Sequence, residues 1–271
     1  AKASGIPSVV RLPQKDLTAT KKVLEMAPDG IIFPMVHSAD ELKELIEVSN
    51  ENIRLITMAP EVNGSLEFIK YATENEVTIS AGHSNATFDD IENAIKAGLT
   101  NITHTHNAMS KHDHRNPGIV TASFYFDELY TECICDGIHV CPNTLKTFYK
   151  IVGPDRFMIV TDALLGKHSK VDKFQLFNLD CTYRNGAFYL VEAGNLAGSA
   201  LYMNQGLKNV RNYCGASLIE LAKVSSYNQA KSLHLNDRGL LEAGKLADIV
   251  LLDEELNVKN VFKLGKEVYK A

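Results

Sequence analysis

The sequence predicts an α/β protein built as a (β/α) barrel of the TIM type, and three observations carry this prediction. Short runs rich in β-branched residues alternate with stretches of helical periodicity, which is typical of successive βα units and a parallel sheet. The 271 residues are enough for one large barrel. Polar side chains recur where the predicted strands end, and barrels of this class build their active sites at that edge.

Seven strands of the parallel type are predicted, where a closed barrel of this class has eight. They span residues 8–12, 30–36, 54–58, 77–81, 101–105, 130–136 and 157–162. Helices are predicted between them at 16–26, 38–48, 66–73, 89–97 and 144–151. We therefore expect a barrel over residues 1–240 that is incomplete or closed with an imperfect wall.

The pattern changes after Asp162. Residues 174–190 are typical of a β-hairpin, because Asn185-Gly186 is a strong two-residue turn signal. Two helices are predicted next, at 201–213 and 217–229. Strands at 247–252 and within 258–269 then predict a small, incomplete β domain over residues 241–271.

Composition excludes some classes of function. The formal net charge of −5 argues against non-specific nucleic-acid binding. No apolar run approaches the roughly 18 residues of a membrane span, and residues 1–10 lack the layout of a secretory signal peptide. The five cysteines make a poor disulfide framework, and Cys133 and Cys135 read as buried free thiols. We expect a cytoplasmic protein with neither a membrane nor a nucleic acid as its partner.

Five polar residues follow consecutive predicted strands: Glu61, His83, His104, His139 and Asp162. A carboxylate and two histidines are a normal ligand set for Zn²⁺ or a similar divalent ion and leave a position open for water. A nearby carboxylate can then accept the proton of that water. Taken singly, each histidine also suits a structural role, and Asp162 also suits a helix cap.

The segment after His104 leaves two interpretations open. His106, His112 and His114 form either a polar active-site loop or a fortuitous metal cluster. Arg115 in the same loop either holds an anion or is an ordinary surface arginine.

Seven motifs together resemble the N-acetylglucosamine-6-phosphate deacetylase family of the amidohydrolase superfamily. They are LITMAPE at 55–61, SAGHSNAT at 80–87, THTHNAM at 103–109, CDGIHV at 135–140, VTDA at 160–163, NLAGS at 195–199 and GLLEAGKLADIVLLD at 239–253. The resemblance covers about residues 50–271. It implies hydrolysis of N-acetylglucosamine 6-phosphate to glucosamine 6-phosphate and acetate by a zinc-dependent homodimer.

The resemblance also implies a role for each matching residue. It assigns Glu61, His83 and His104 to the metal and Asp162 to general acid–base catalysis. His139 would contact the substrate. The backbone at Asn107 and Ala108, together with Arg115 reaching across a dimer interface, would hold the sugar phosphate.

Residues 1–45 are similar to a different barrel. The early His-x-His motif of the deacetylase family has no counterpart there. Residues 5–13 and 26–41 resemble metal-dependent pyruvate aldolases that act on 2-keto-3-deoxy sugar acids, and Arg11 matches their pyruvate-binding arginine. The metal-binding strands of those aldolases have no counterpart here, which argues against aldolase activity. The two resemblances together give the hypothesis of a chimera of two barrel fragments, natural or engineered. The function we expect from the resemblance is deacetylation, with an inactive chimeric scaffold as the alternative and aldolase activity as a weaker one.

Overall fold

The computed structural model describes residues 9–11, 30–32, 40, 44, 53–164, 173–176 and 179–271. Its centre is a parallel sheet in the order β3-β4-β5-β6-β7. These strands are β3 Leu55–Met58, β4 Thr78–Ala81, β5 Asn101–Ile102, β6 Tyr130–Ile134 and β7 Phe157–Val160. β1 Val9–Arg11 and β2 Gly30–Ile32 pair in parallel in a separate two-stranded sheet. Strands therefore occur at all seven predicted positions, while closure of the barrel stays a prediction.

Four helices connect the strands of the central sheet: α1 Ser65–Glu74, α2 Phe88–Ala97, α3 Ile119–Tyr125 and α4 Pro142–Val152. The start of α2 is fixed by a capping box between Thr87 and Asp90. Its end needs glycine, because Gly98 has a φ of 119° and a Cβ there would lie 2.5 Å from Thr73 Oγ1. The sequence did not predict α3, which has seven residues, too few to show a helical period.

The hydrophobic core lies between the sheet and these helices, in two clusters of buried residues. The first includes Ile69 of α1, Ile79 of β4 and Ile91 of α2, all fully buried. The second includes Phe148 of α4 and Phe157 of β7. Burying each such side chain stabilises the fold by about 1.5–3 kcal/mol. This packing holds the carboxyl ends of the strands in fixed positions.

Predicted helices 201–213 and 217–229 both form, the second in three segments. They are α5 Met203–Cys214, α6 Leu218–Ala222, a π-helix Lys223–Tyr227 and α7 Asn228–Ser232. Ser232 at the end of α7 accepts hydrogen bonds from Thr78 Oγ1 and Asn101 Nδ2, at 2.8 and 2.7 Å. Because Thr78 and Asn101 begin β4 and β5, α7 is fastened to the amino-terminal edge of the sheet.

Two antiparallel sheets occupy the carboxyl-terminal half. One contains β8 Lys173–Leu176, β9 Leu179–Arg184, β10 Ala187–Leu190 and β11 Leu196–Ser199. The predicted hairpin is confirmed, and both Asn185 and Gly186 have the positive φ of a type I′ turn. The other sheet contains β12 Ile249–Leu252, β13 Val258–Lys263 and β14 Lys266–Lys270, which confirms the predicted β appendage.

Two predicted helices remain largely untested. Asp40 and Glu44 are helical, in agreement with the helix predicted at 38–48. The rest of that segment, and the helix predicted at 16–26, lie outside the described residues. The chimera hypothesis depends on residues 1–45 and stays a prediction. Within the described part of the chain, no helix is both long and apolar enough to span a membrane.

Candidate active site

The predicted site residues gather at the carboxyl edge of the central sheet. His83 follows β4, His104 follows β5 and Asp162 follows β7, each by two residues. All three have positive φ, at 49°, 30° and 47°. This left-handed conformation costs a non-glycine residue roughly 1–2 kcal/mol. Such backbone cost, concentrated at one edge of the sheet, is typical of a functional site.

Close contact between three strand ends places His83. A Cβ on Gly82 would lie 2.7 Å from Thr103 Cβ and 2.9 Å from Thr57 Cγ2, so only glycine fits there. The hydroxyl of Thr103 also hydrogen-bonds Thr57 Oγ1 at 2.9 Å and Ser80 Oγ at 2.6 Å. The ends of β3, β4 and β5 are therefore held together directly beneath the two histidines.

The side chains of His83 and His104 converge. Their Nε2 atoms lie 3.0 Å apart, and the rings meet edge to face. Two nitrogens bound to one tetrahedral zinc at about 2.0–2.1 Å would lie roughly 3.3 Å apart, so the pair fits such an ion. Burial lowers the pKa of His104, which keeps its ring in the neutral form that binds metals.

Glu61 contacts the two residues that follow His83 in the sequence. Its Oε1 accepts a hydrogen bond from the backbone N–H of Asn85 at 2.7 Å, and its Oε2 accepts one from Ser84 Oγ at 2.6 Å. The carboxylate is thus fixed against the residues that follow His83. Within the described ranges, no three His, Cys, Asp or Glu side chains are grouped as a metal site. The structure joins two of the three predicted ligands, and the role of Glu61 stays a prediction.

His139 is held by an aspartate that sequence reasoning did not assign to it. Asp136 Oδ2 lies 2.6 Å from His139 Nδ1, and both side chains are only 4% exposed. The other oxygen of Asp136 accepts the backbone N–H groups of Ile138 and His139 at 2.8 Å. A carboxylate on Nδ1 fixes the orientation and tautomer of an imidazole, which leaves Nε2 for another partner. The Asp-x-x-His spacing was the available signal.

Asp162 is exposed to solvent, and the pKa of its carboxyl group is raised. Its side chain is exposed, yet the surrounding protein displaces enough water to raise its pKa. Nearby His139 and His83 act in the opposite direction, and Asp136 raises the pKa further. A raised carboxyl pKa favours exchange of a proton near neutral pH. Strand β11 positions this residue, because Ser199 donates its N–H to the Asp162 carbonyl at 2.8 Å.

Glu132 is a second carboxyl group at the site, and the sequence analysis missed it. It lies within β6 and accepts a hydrogen bond from the backbone N–H of His104 at 3.2 Å. Burial raises its pKa to about 7, and the charge of Asp162 acts in the same direction. A charged residue inside an otherwise apolar strand was the signal that could have identified it.

The residues predicted to bind the substrate lie on the loop after β5. Ala108 has a φ of 49°, and its carbonyl accepts the N–H of Ser84 at 3.1 Å, which joins this loop to the His83 loop. Asn107 donates its N–H to the His104 carbonyl at 3.1 Å. Arg115 is exposed, and its backbone N–H donates to Asp113 Oδ1 at 2.8 Å. The sugar-phosphate role of all three stays a prediction.

The other histidines of this loop have separate environments. His106 packs edge-on against Phe148 with ring centroids 4.8 Å apart, and burial lowers its pKa to about 4. His112 hydrogen-bonds Thr121 Oγ1 at 3.0 Å, and both histidines line a cavity of about 560 Å³. His114 is exposed. Both interpretations of this loop therefore stay predictions.

A parallel α/β sheet with a histidine pair and carboxylates at its carboxyl edge is the arrangement of a metal-dependent hydrolase. The chain belongs to the amidohydrolase family, whose sequence profile matches residues 35–268. Membership of this family implies a divalent metal.

Individual proteins resemble the chain over most of its length. N-acetylglucosamine-6-phosphate deacetylase of Lysinibacillus sphaericus is 34% identical over 239 residues, which are 88% of this chain and 60% of that protein. N-acetylgalactosamine-6-phosphate deacetylase of Escherichia coli O157:H7 is 30% identical over 83% of this chain and 60% of its own length. The chain therefore spans about three-fifths of the length of these curated relatives.

A solved structure supports the assignment to the amidohydrolase family. The crystal structure of N-acetylglucosamine-6-phosphate deacetylase from Thermotoga maritima superposes with a TM-score of 0.85 at 31% identity. The match covers 100% of this chain and 81% of that one. The chain thus shares the fold of that structure, with an α/β core and a β appendage.

Proposed function

We propose that this chain hydrolyses the acetamide of N-acetylglucosamine 6-phosphate, giving glucosamine 6-phosphate and acetate. The observation that carries the proposal is the convergence of the His83 and His104 Nε2 atoms at the strand edge that also carries Asp162. The likeness to deacetylases of this substrate supports the choice of reaction.

We propose zinc as the metal and His83, His104 and Glu61 as its ligands. Two imidazoles and a carboxylate are a common zinc set, and the Nε2 atoms of the two histidines lie 3.0 Å apart. When bound, the metal would act as a Lewis acid toward the amide carbonyl and the attacking water.

Asp162 carries the proton in this proposal. It accepts a proton from the water whose oxygen bonds to the carbonyl carbon. It then delivers that proton to the sugar nitrogen as the carbon–nitrogen bond breaks, so acetate and a free amine leave. Its raised pKa suits both steps, because the carboxyl must hold the proton between them.

The remaining predicted residues would orient the substrate. His139, with Nδ1 held by Asp136, presents Nε2 to the sugar or the acetyl group. The turn at Asn107 and Ala108 and the guanidinium of Arg115 would hold the phosphate, with Arg115 acting across a homodimer interface. We place the protein in the cytoplasm, since its five cysteines are free thiols.

A second candidate substrate is N-acetylgalactosamine 6-phosphate, which differs at one hydroxyl. The observation that favours it is the likeness to the Escherichia coli O157:H7 enzyme named for that sugar. Two further alternatives are that the chain is an inactive chimeric scaffold and that it is a pyruvate aldolase. Acetate release from each sugar phosphate identifies a deacetylase and its substrate. Pyruvate release from a 2-keto-3-deoxy sugar acid identifies an aldolase, and neither product is expected from an inactive scaffold.

The decisive experiment compares the wild-type chain with Asp162→Asn, each loaded with zinc. Asparagine keeps the size of the side chain and cannot accept the proton, so acetate release should fall about 10²–10⁴-fold while bound zinc is unchanged. Asp89→Asn is the matched control, because Asp89 is exposed on α2 outside the site and should leave turnover intact.

Two results would contradict the proposal. Full acetate release by Asp162→Asn would remove Asp162 from the reaction. A wild-type chain that holds one zinc and releases no acetate from either sugar phosphate would establish the inactive scaffold.

A further inference from the structure

Glu132 is a carboxyl-bearing residue within a strand whose neighbouring residues are buried. Its strand neighbours Thr131 and Cys133 are fully buried, and Glu132 itself is largely enclosed. A polar group is retained in such a place when it makes a hydrogen bond that an apolar side chain cannot replace.

Glu132 makes two contacts with the segment that carries His104. Its side-chain Oε2 accepts the His104 N–H at 3.2 Å, and its backbone carbonyl accepts the Thr105 N–H at 2.7 Å. The regular pairing of β5 with β6 ends at Ile102 and Thr131. The Glu132 contacts therefore continue the link between the two strands beyond the end of the ladder.

His104 depends on this link because its own conformation is unfavourable. Its φ of 30° is left-handed, and a histidine adopts it only when surrounding contacts impose it. A carboxylate on one ring nitrogen often orients a metal-binding histidine. The Nδ1 of His104 is buried without such a partner in the described part of the chain. The direction of Nε2 is therefore set through the backbone.

We propose that Glu132 is a positioning residue that holds the backbone of His104, aims its Nε2 at His83 and thereby sets the affinity of this histidine pair for its metal. The inference rests on the proposed metal-dependent function and adds a residue that acts without touching the metal or the substrate.

A matched pair of substitutions isolates the hydrogen bond. Glu132→Gln keeps the length of the side chain and an oxygen that accepts from the His104 N–H. Glu132→Met keeps the length and has no such oxygen. Glu128→Gln, an exposed position just before β6, is the control for a change of charge.

The readouts are the affinity for zinc, by competition with a chelator, and the visible spectrum of the cobalt-substituted protein. We expect Glu132→Met to bind zinc about 10–100-fold more weakly and to shift the cobalt bands. Glu132→Gln and Glu128→Gln should stay close to the wild type. Circular dichroism of the metal-free proteins checks folding, and Glu132→Asp, too short to reach His104, replaces Glu132→Met if the latter does not fold.

The outcomes separate this inference from the proposed function. Equal affinity and spectra for Glu132→Met and the wild type would overturn the positioning role. An equally large loss in Glu132→Gln would also overturn it, because the carboxylate itself would then be a ligand. The expected ranking of affinities together with no acetate release would uphold Glu132 and reject the deacetylase. A wild-type chain that binds no metal would reject both.

Discussion

The two histidine-bearing parts of the candidate site reach the same edge of the sheet by different means. His83 and His104, after β4 and β5, stand in left-handed conformations and meet through their Nε2 atoms. His139, after β6, is held by Asp136, which accepts three hydrogen bonds from a single turn. The first arrangement brings two ring nitrogens within 3.0 Å of each other, and under the proposed function a metal ion would bind both. The second is complete by itself.

Under the proposed function, this difference indicates where a bound metal would contribute to folding. A ligand that binds only the folded state stabilises it in proportion to the logarithm of its concentration. The His83–His104 end should therefore gain order and stability from a metal. The His139 turn should be the same with and without it, because its carboxylate and N–H groups satisfy one another.

The largest expected effect comes from breaking the first arrangement. His104→Ala should abolish stoichiometric zinc binding, because one nitrogen of a converging pair is a poor site alone. The wild type, at a free zinc concentration 100 times its Kd, should gain about 2.7 kcal/mol in free energy of unfolding, and the variant should gain none. Urea unfolding with and without zinc measures this. His114→Ala, at an exposed position, should retain the gain. Unchanged zinc binding in His104→Ala would show that the metal lies elsewhere.

A smaller effect is expected from breaking the second arrangement. Asp136→Asn keeps an oxygen for the backbone N–H groups and places an amide donor against His139 Nδ1, which favours the wrong tautomer. Turnover should fall about 10–100-fold, as is usual when a carboxylate behind a functional histidine is lost. Zinc content should stay at the wild-type value. Acetate assays and metal analysis check both statements, with Asp89→Asn as the control. Loss of zinc from Asp136→Asn would mean that the two arrangements are coupled.

The contrast also explains what the sequence could and could not predict. Strand positions and the residues that follow them are local in the chain, so Glu61, His83, His104, His139 and Asp162 were identified from periodicity and resemblance. Contacts between strands are not local. Glu132 was visible only as a charged residue in an apolar strand, and its contact with His104 spans 28 positions of the sequence.

Two elements were missed or misjudged for related reasons. Helix α3 is too short for its periodicity to be distinguished from a loop. Residues 223–227 continue the helical pattern of α6 and α7, so the sequence predicted one α-helix where the structure has a π-helical segment. Gln229, just after that segment, donates to the Val224 and Ile159 carbonyls, and this tertiary contact with β7 accompanies the irregular turn.

The smallest expected effect concerns Cys141, which lies two residues after His139 and is the N-cap residue just before α4. A hydrogen bond from Thr144 lowers the pKa of this exposed thiol, so its thiolate fraction at neutral pH exceeds that of an ordinary cysteine. Cys133, Cys135 and Cys181 are buried, and burial raises the pKa of Cys214 to about 11. A disulfide reagent should therefore modify one thiol per native chain rapidly, and Cys141→Ser should remove that phase.

This thiol is a reporter of the His139 turn, and it tests the contrast between the two parts of the site. If the turn is organised by Asp136 alone, the modification rate of Cys141 should differ by less than about twofold between the metal-free and the zinc-loaded protein. Asp136→Asn should change the rate, because it loosens the turn from which α4 begins. A rate that depends strongly on zinc in the wild type would show that the metal orders both parts, since the turn would then not be complete by itself.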